Sequence, residues 1–293
     1  ITGGVLNGNK DSYSIDPNDN GSNVIGSAVA IVQHTTKLPI IVNISGGTFN
    51  SYIPLTESNP MNNSDEDISK ITINISDGLF ISSGNKSIDL EDFGSGVVTG
   101  GTFSHKVTEY IDENTHGERI NEDSTVTVLP YRKINLDDEQ YNNILNVSKL
   151  LPGQTGIINI PNIEDYLITV KLTDSSENEI QINNNKFVMP NSDINVFINS
   201  KFLYKFLSGE NQTYKNNNIV IKTNGDISKL IKVDVNDKEL DKSNYTLKSG
   251  STILSLEKKY LSSLQNGTYN LKLIYTDGEL ETTFVVNNSK NSN

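Results

Sequence analysis

The sequence contains no cysteine and no tryptophan among its 293 residues. Without cysteine there is no disulfide, no thiol nucleophile, no cysteine-ligated zinc and no iron–sulfur cluster. A secreted animal protein of this size usually carries disulfides, whereas a secreted Gram-positive protein often lacks them, so we interpret the chain as an exported bacterial protein. Sugar-binding surfaces usually stack sugars on exposed aromatic rings, so the lack of tryptophan counts against a dedicated carbohydrate-binding module.

Long hydrophobic runs are also missing. The longest apolar stretches, Ala28–Val32 and Ile40–Val42, have the length of a strand, whereas a membrane span needs about 18 apolar residues. We therefore expect no membrane insertion. The chain begins at Ile1 without an initiator methionine or a signal peptide, so we expect it to be an internal segment of a longer protein.

Basic residues are too few for a nucleic-acid-binding surface. The 24 Lys and Arg residues face 36 Asp and Glu residues, which gives a net charge of −12. The basic side chains are scattered along the chain, and phosphate binding requires a basic patch, so we expect no nucleic-acid partner. An acidic surface keeps an extracellular protein soluble and apart from its neighbours.

One six-residue pattern occurs four times. It consists of Ile or Val, then Ser or Thr, Gly or Asp, Gly, any residue and a large apolar residue. The glycine permits a tight corner with positive φ, and we expect the apolar residue to stack on its equivalents in neighbouring coils. The spacings of 43, 31 and 23 residues fit a solenoid with loops of different length. The four copies are Ile1–Leu6, Ile44–Phe49, Ile75–Phe80 and Val98–Phe103.

A strand is predicted before each of the last three copies, at Pro39–Ile44, Ser69–Ile75 and Gly94–Val98. Within the second of these, Ile71 and Ile73 alternate with polar residues, which is the period-two signature of one buried face. A single coil cannot bury this face, so stacking of coils must supply the core. The alternative is four unrelated hairpin turns in a sandwich, and we favour the solenoid.

The segment Thr102–Ile111 breaks the repeat. It is compatible with a short helix, and the polar stretch Asp112–Ser124 follows it. The last coil of a solenoid must be shielded from water and from edge pairing, so we interpret this segment as a C-terminal cap.

The fold class that we predict is all-β: the C-terminal part of a right-handed parallel β-helix, followed by two small β-sandwich or immunoglobulin-like modules. The β-helix with its cap is assigned to residues 1–124, a small β-rich module to 125–207 and an immunoglobulin-like module to 208–293. Strands are predicted in the middle module at Thr125–Leu129, Tyr166–Thr173, Glu179–Ile182 and Ile194–Phe202, with a short helix within Asp137–Ser148. Strands are predicted in the last module at Ile219–Thr223, Leu230–Val235, Tyr245–Leu247, Thr252–Leu256, Thr268–Ile274 and Glu281–Val286, with a helical turn at Tyr260–Leu264.

Three resemblances involve these residues. The copies Ile44–Phe49 and Val98–Phe103, with the following Ser104–Ile111, resemble the β-helix ends of Gram-positive surface proteins; the Ile75 copy departs from that pattern at Asp77. Tyr166–Asp174 with Asn185–Ile194 is similar to small modules of such proteins that carry a Phe-x-Met-Pro turn.

The third resemblance spans most of the last module. Asn244–Ile253, Tyr260–Tyr269 and Ile274–Gly278 resemble the X-type immunoglobulin-like module of cellulosomal scaffoldins and clostridial surface enzymes. That resemblance implies a spacer, for which weak carbohydrate or cell-wall binding has been proposed in some members.

Metal-binding patterns are weak. The histidines His34, His105 and His116 lie far apart in the sequence, and we interpret them as exposed loop residues. Asp16, Asn18 and Asn20 match the first half of a calcium loop, but Ser27 stands where an EF-hand needs a bidentate Glu. An Asx-rich turn is the favoured interpretation, with calcium as the alternative; no other cofactor is predicted.

Candidates for catalysis are weak as well. Asp65, Glu66 and Asp67 are of the type that β-helix lyases and hydrolases use in pairs, but they are predicted to lie in a loop without a companion Arg or Lys. No catalytic residue is assigned, and no ligand-binding residue is identified. Four tyrosines are candidates for exposure, although packing is the favoured interpretation: Tyr131, Tyr141, Tyr204 and Tyr214.

The function that we expect is a stalk or adhesion module of a secreted bacterial cell-surface protein. The expected partners are a polysaccharide, the cell wall, or a host-surface glycan or protein, and the chain is expected to be monomeric and non-catalytic. One alternative is the C-terminal part of a β-helix carbohydrate-active enzyme, a lyase or glycoside hydrolase, whose catalytic coils precede Ile1. Another is a carbohydrate- or cell-wall-binding unit.

Overall fold

A computed structural model describes residues 1–15, 23–136, 138–248 and 251–288. Within these ranges, the regular structure is almost entirely strand, so the fold is all-β as predicted. The helices are α1 (Asp65–Ile68) and α2 (Lys258–Ser263), and 3₁₀ turns lie at Thr108–Tyr110, Glu139–Tyr141, Ile227–Lys229 and Lys242–Asn244. No helix in the described residues is long and apolar enough to cross a bilayer.

Twenty-seven strands lie within the described residues. Those of the first part are β1 (Thr2–Asn7), β2 (Ser14–Ile15), β3 (Val24–Ile25), β4 (Val29–Val32), β5 (Ile40–Ser51), β6 (Leu55–Ser58), β7 (Ile71–Ser82), β8 (Ile88–Leu90), β9 (Gly101–Phe103), β10 (His116–Ile120), β11 (Val126–Pro130), β12 (Arg132–Leu136), β13 (Lys149–Leu150) and β14 (Thr155–Ile157). Those of the second part are β15 (Tyr166–Asp174), β16 (Glu179–Ile180), β17 (Lys186–Val188), β18 (Ile194–Phe202), β19 (Phe206–Ser208), β20 (Gln212–Thr213), β21 (Ile219–Thr223), β22 (Leu230–Val235), β23 (Lys238–Glu239), β24 (Tyr245–Lys248), β25 (Ile253–Leu256), β26 (Gly267–Tyr275) and β27 (Gly278–Val286).

Two parallel sheets organise the N-terminal region. Strands β1, β5, β7 and β9 are neighbours in a six-stranded sheet, and each pair is parallel. Strands β4, β6 and β8 form a second parallel sheet of three strands. The chain passes from β5 to β6 and from β7 to β8, so each passage adds one strand to the first sheet and one strand to the second. Residues of both sheets belong to one hydrophobic core.

Large apolar side chains of the repeated pattern form a row across the first sheet. Leu6 pairs with Phe49, Phe49 with Phe80, and Phe80 with Phe103. The three phenylalanine rings are stacked with 4.7 Å between successive centroids and are completely buried. The predicted stacking of this position between copies of the pattern is therefore confirmed.

The glycines of the pattern lie in bulges rather than in corners between strands. Strands β5 and β7 each run through their glycines for 12 residues, and their pairing shifts register between Ser45 and Thr48. Gly47 and Gly78 have φ values of 102° and 133°, which a side chain rarely permits. The sequence correctly indicated the need for glycine, but the predicted corner was wrong. The strand predicted at Gly94–Val98 is reduced to one bridge at Val98.

The segment after β9 covers the last parallel strand. The predicted helix is limited to the 3₁₀ turn, and Val107, Tyr110 and Ile111 are buried in the core of the two parallel sheets. The polar stretch that follows contains a strand, β10, which sequence reasoning missed. Strand β10 pairs with β11, and β11 pairs antiparallel with β9, so the parallel edge of β9 is occupied.

The chain divides into two compact units. The first comprises Ile1–Asn159 and Lys171–Phe197, and the second comprises Ile160–Val170 and Ile198–Asn293. Strands β15 and β18 each contribute residues to both units and are neighbours in a five-stranded sheet of order β13-β12-β18-β15-β16. The predicted division into modules 1–124, 125–207 and 208–293 stays a prediction.

The second unit contains two sheets around one core. Their orders are β19-β21-β25-β24 and β20-β27-β26-β22-β23. Fully buried residues come from both sheets, including Leu254 and Leu256 from the first and Leu271 and Leu273 from the second. The six strands predicted in this part of the sequence are confirmed with ends shifted by up to three residues, and the predicted helical turn corresponds to α2.

Candidate functional site

An open pocket lies beside the 3₁₀ turn that follows β9 and the strand β10. Its volume is about 440 Å³, within the usual range for small-ligand sites of roughly 300–1,000 Å³. All of its residues belong to the first unit. It is lined by Lys106, Thr108, Ile111, Glu113, His116, Gly117, Glu118 and Tyr131.

Glu118 fixes one wall of this pocket. Its Oε1 atom accepts a hydrogen bond from the Val107 backbone N–H at 2.6 Å, and its Oε2 atom accepts one from the Thr108 hydroxyl at 2.9 Å. These bonds tie the chain after β9 to strand β10. An ionised carboxylate offers about four acceptor positions, so Glu118 retains capacity for a ligand.

Tyr131 forms a second wall and is held from two sides. The Lys149 ammonium lies 4.2 Å from the ring centroid, a cation–π contact, and is anchored by donating to the Asn114 carbonyl at 2.6 Å. A Cβ atom at Gly117 would lie 2.6 Å from the Tyr131 hydroxyl oxygen. Glycine at position 117 is therefore what allows the ring to occupy this place.

His116 contributes a polar group that the sequence interpretation placed wrongly. The residue lies in β10, half-buried in the pocket, rather than on an exposed loop. Its Nδ1 atom is 2.9 Å from the Thr115 hydroxyl, which leaves Nε2 for other partners. His105 is half-buried, and His34 is exposed as predicted. The sequence of His116–Ile120 has no alternation of apolar and polar residues, so it gave no sign of the strand that places His116.

Within the described ranges, the structure brings no cluster of metal-ligating side chains together. No group of three or more His, Asp or Glu side chains is placed there to hold an ion. The predicted calcium residues Asp16, Asn18 and Asn20 lie outside the described residues, so that prediction stays open.

The predicted acidic triplet is a structural contact rather than a pair of free acids. Asp65, Glu66 and Asp67 lie in α1, and Asp67 is buried. The expectation that they lack a basic companion was wrong, since the Nζ atoms of Lys37 and Lys70 each lie 2.7 Å from the Asp67 carboxylate. Hydrogen bonds from these two lysines hold the pKa of Asp67 well below its usual range.

Glu57 is a buried carboxyl that sequence reasoning missed. It lies in β6, only 3% exposed, between Ile31 and Leu90 of the neighbouring strands. Its Oε2 atom accepts from the Asp92 backbone N–H at 3.0 Å, whereas Oε1 has no hydrogen-bond partner among the described residues. Burial raises the pKa of Glu57 to about 7, and the charges of Asp92 and Glu91 add to the increase. All four residues of β6 are buried, and no alternation in the sequence Leu-Thr-Glu-Ser marks Glu57 as inward.

The four tyrosines proposed as candidates for exposure differ. Tyr141 and Tyr214 are buried, as the packing interpretation predicted, and Tyr131 and Tyr204 are half-buried. In the second unit, the ring of Tyr204 stacks on that of Tyr275 with 4.1 Å between the centroids.

No protein-family model and no curated protein matches the chain. Solved structures show distant likeness. Titin domains Z1Z2 in complex with telethonin share 12% identity over 54% of this chain and 92% of that chain, with a TM-score of 0.23. A Bacteroides ovatus protein of a mixed-linkage glucan utilization locus, SGBP-B, in complex with a mixed-linkage heptasaccharide, shares 13% identity over 56% of this chain and 48% of that chain, with a TM-score of 0.21. Extracellular domains 3–5 of Drosophila OTK share 10% identity over 58% of this chain and 76% of that chain, with a TM-score of 0.22. Likeness at this level decides neither the fold nor the function of the chain.

Proposed function

We propose that the chain is a non-catalytic scaffold region of a secreted bacterial cell-surface protein. In this proposal, the two parallel sheets of the first unit are the faces of a right-handed β-helix, and β10 and β11 close its C-terminal end. The later strands form two small sandwich modules, the last of them immunoglobulin-like. The region acts as a stalk that presents neighbouring parts of the protein, and as an adhesion surface.

The observation that carries the proposal is the ladder Leu6–Phe49–Phe80–Phe103. Equivalent residues from four passages of the chain stack in register, with the rings spaced as closely as neighbouring strands. A structure built in this way grows along one axis by about 4.8 Å for each added coil, and each coil contacts only its neighbours. Such growth produces length and stiffness, which are the properties of a stalk.

The outward-facing side chains of the same strands support an extracellular scaffold. In β7, Thr72, Asn74 and Ser76 alternate with buried isoleucines and are exposed. The amide of Asn74 donates to the Asn43 side-chain oxygen in the next strand at 2.9 Å. These paired polar side chains favour solubility of the stack without a disulfide, alongside the exposed apolar residues Ile41, Leu79 and Ile81 of the same two strands.

A carbohydrate-active β-helix enzyme is the competing proposal, and the described coils give it less support. Such an enzyme needs paired acids in an open groove. The acidic triplet instead includes Asp67, which is ion-paired to Lys37 and Lys70, and Glu57 faces the interior between apolar neighbours.

Protease treatment of intact cells tests the proposed location. The complete parent protein is expressed in a Gram-positive host, cells are treated with trypsin, and released peptides are identified by mass spectrometry. We expect peptides of this chain from exposed loops, such as those around Lys10 and Lys37, while a cytoplasmic marker stays intact. Recovery of the chain only from the cytoplasmic fraction would overturn the proposal.

A further inference from the structure

We propose that the pocket between the segment after β9 and strand β10 binds one unit of a neutral, hydroxyl-rich sugar. This inference rests on the proposed adhesive function and adds a ligand class to it. The geometry of the pocket does not depend on whether the parent protein is a stalk. In this pocket an aromatic ring, hydrogen-bond donors and hydrogen-bond acceptors line one concave volume.

Both kinds of polar group meet in this pocket. Glu113 and Glu118 supply acceptors, Lys106 supplies donors, and the free ring nitrogen of His116 supplies one or the other. A sugar hydroxyl donates one hydrogen bond and accepts two, so it is the ligand group that satisfies both kinds of partner at once. A purely apolar ligand would offer these polar groups no hydrogen-bond partner.

Charge argues for a neutral ligand. The two carboxylates of Glu113 and Glu118 face the single ammonium of Lys106, so the lining does not attract an anion. The net charge of −12 of the whole chain repels a polyanion further. Two carboxylates are also fewer than the about six to eight oxygen ligands that a hard cation such as Ca²⁺ takes.

The aromatic wall is fixed before any ligand arrives. Lys149 covers one face of the Tyr131 ring, and Gly117 leaves room for its hydroxyl. A ligand in the pocket can therefore reach only the other face or the edge of the ring. Rigid walls reduce the entropy lost on binding, so even a small ligand gains affinity from such a site.

The test is an NMR titration of the whole chain. Amide spectra are recorded with cellohexaose, maltohexaose, mannohexaose and xylohexaose as neutral probes and with hexagalacturonate as the anionic probe. We expect at least one neutral probe to shift the amides of Lys106–Glu118 and Tyr131. The double variant Lys106→Ala/Glu113→Ala removes two exposed lining groups and is expected to weaken that binding at least tenfold. The matched control Lys133→Ala/Glu122→Ala changes exposed residues of the same charge outside the pocket and is expected to bind like the parent.

Four results would overturn the inference. These are no shift with any neutral probe at millimolar concentration, shifts confined to other residues, unchanged affinity in the lining variant, or binding of hexagalacturonate alone. The chemical-shift pattern of the free protein reports whether each variant is folded. Since cell-surface location is measured separately, loss of sugar binding and failure of the scaffold proposal are distinguishable.

Discussion

At the scale of single residues, Glu57 is the least expected feature of the core. Its direct cross-strand neighbours in the three-stranded sheet are Ile31 and Leu90. The Oε1 atom of Glu57 has no hydrogen-bond partner among the described residues. A buried carboxyl in such surroundings favours its neutral form, which is why its pKa rises to about 7. The carboxylates of Glu91 and Asp92 act in the same direction. The residue therefore couples folding to pH.

The coupling has a definite sign. An unfolded glutamate loses its proton near pH 4.5, whereas folded Glu57 keeps it to about pH 7. Between these values the folded state binds more protons than the unfolded state, so Glu57 lowers the free energy of unfolding as pH rises from about 4.5 to about 7. We expect Glu57→Gln to be more stable relative to the parent at pH 8 than at pH 4, by on the order of 2–3 kcal/mol.

Urea unfolding followed through the NMR signals of β6 at the two pH values measures this difference. The control Glu122→Gln makes the same substitution at an exposed carboxylate in the turn before β11, so the comparison separates the effect of burial from that of the substitution itself. A Glu57→Gln variant whose relative stability does not change with pH would show that the carboxyl is not neutralised by burial.

Glycine at the bulge of β7 makes a second prediction at this scale. Gly78 has φ of 133°, and an added Cβ would lie 3.0 Å from the ring of Phe80 and 3.3 Å from that of Phe49. Alanine at this position would have to adopt the positive φ and bring its Cβ against both rings. Gly78→Ala is therefore expected to lower the free energy of unfolding by about 1–3 kcal/mol. Urea unfolding of the first unit measures the change.

The first coil offers a matched control. Gly3 precedes the equivalent glycine, has no atom within 4 Å of an added Cβ, and corresponds to Asp77 in the third copy of the pattern. Gly3→Ala is expected to change stability by less than about 0.5 kcal/mol. Equal losses in the two variants would contradict the account of why the pattern contains its second glycine.

At the scale of secondary-structure elements, alternation of apolar and polar residues was the most reliable guide. It predicted β7 from Ile71, Ile73 and Ile75, whereas the strands of the second unit were predicted from short strand candidates separated by turns. It failed where strands are short or lack apolar residues. Strand β10 (His-Gly-Glu-Arg-Ile) shows no alternation and is a strand because it pairs antiparallel with β11 across the turn 121–125. The pocket depends on that pairing, so it was not predictable from the sequence.

The phenylalanine row makes the prediction for this scale. Phe80 is the central ring, stacked on Phe49 and Phe103, and is completely buried. Phe80→Ala removes contacts to both neighbours and leaves a cavity, so we expect it to lower the free energy of unfolding of the first unit by about 3–5 kcal/mol. The adjacent, outward-facing Leu79 is 38% exposed, and Leu79→Ala is expected to cost less than about 1 kcal/mol. A similar cost for the two variants, measured by urea unfolding, would contradict the assignment of Phe80 to a tightly packed row.

At the scale of the whole molecule, the residues of the repeated pattern predicted the fold better than the spacing between its copies did. Four copies predicted which residues stack, and the register of β1, β5, β7 and β9 agrees with that prediction. Strands β15 and β18 each contribute residues to both compact units, and the predicted modules 1–124, 125–207 and 208–293 stay a prediction.

The central claim is that successive passages of the chain stack in parallel and in register. The chain lacks cysteine, so pairs of nitroxide spin labels can be attached to introduced cysteines without a background. Asn43 and Asn74 are exposed and directly paired on β5 and β7. Neighbouring strands lie about 4.8 Å apart, so we expect the two labels in the variant Asn43→Cys/Asn74→Cys to show strong dipolar broadening. In Asn43→Cys/Ile81→Cys the second site pairs with Asn50, seven residues along the strand, so the labels should be about 23 Å apart and broaden little. Strong broadening in the first pair and weak broadening in the second is the predicted result; weak broadening in the first pair, or equal broadening in both, would contradict the stacked-coil account.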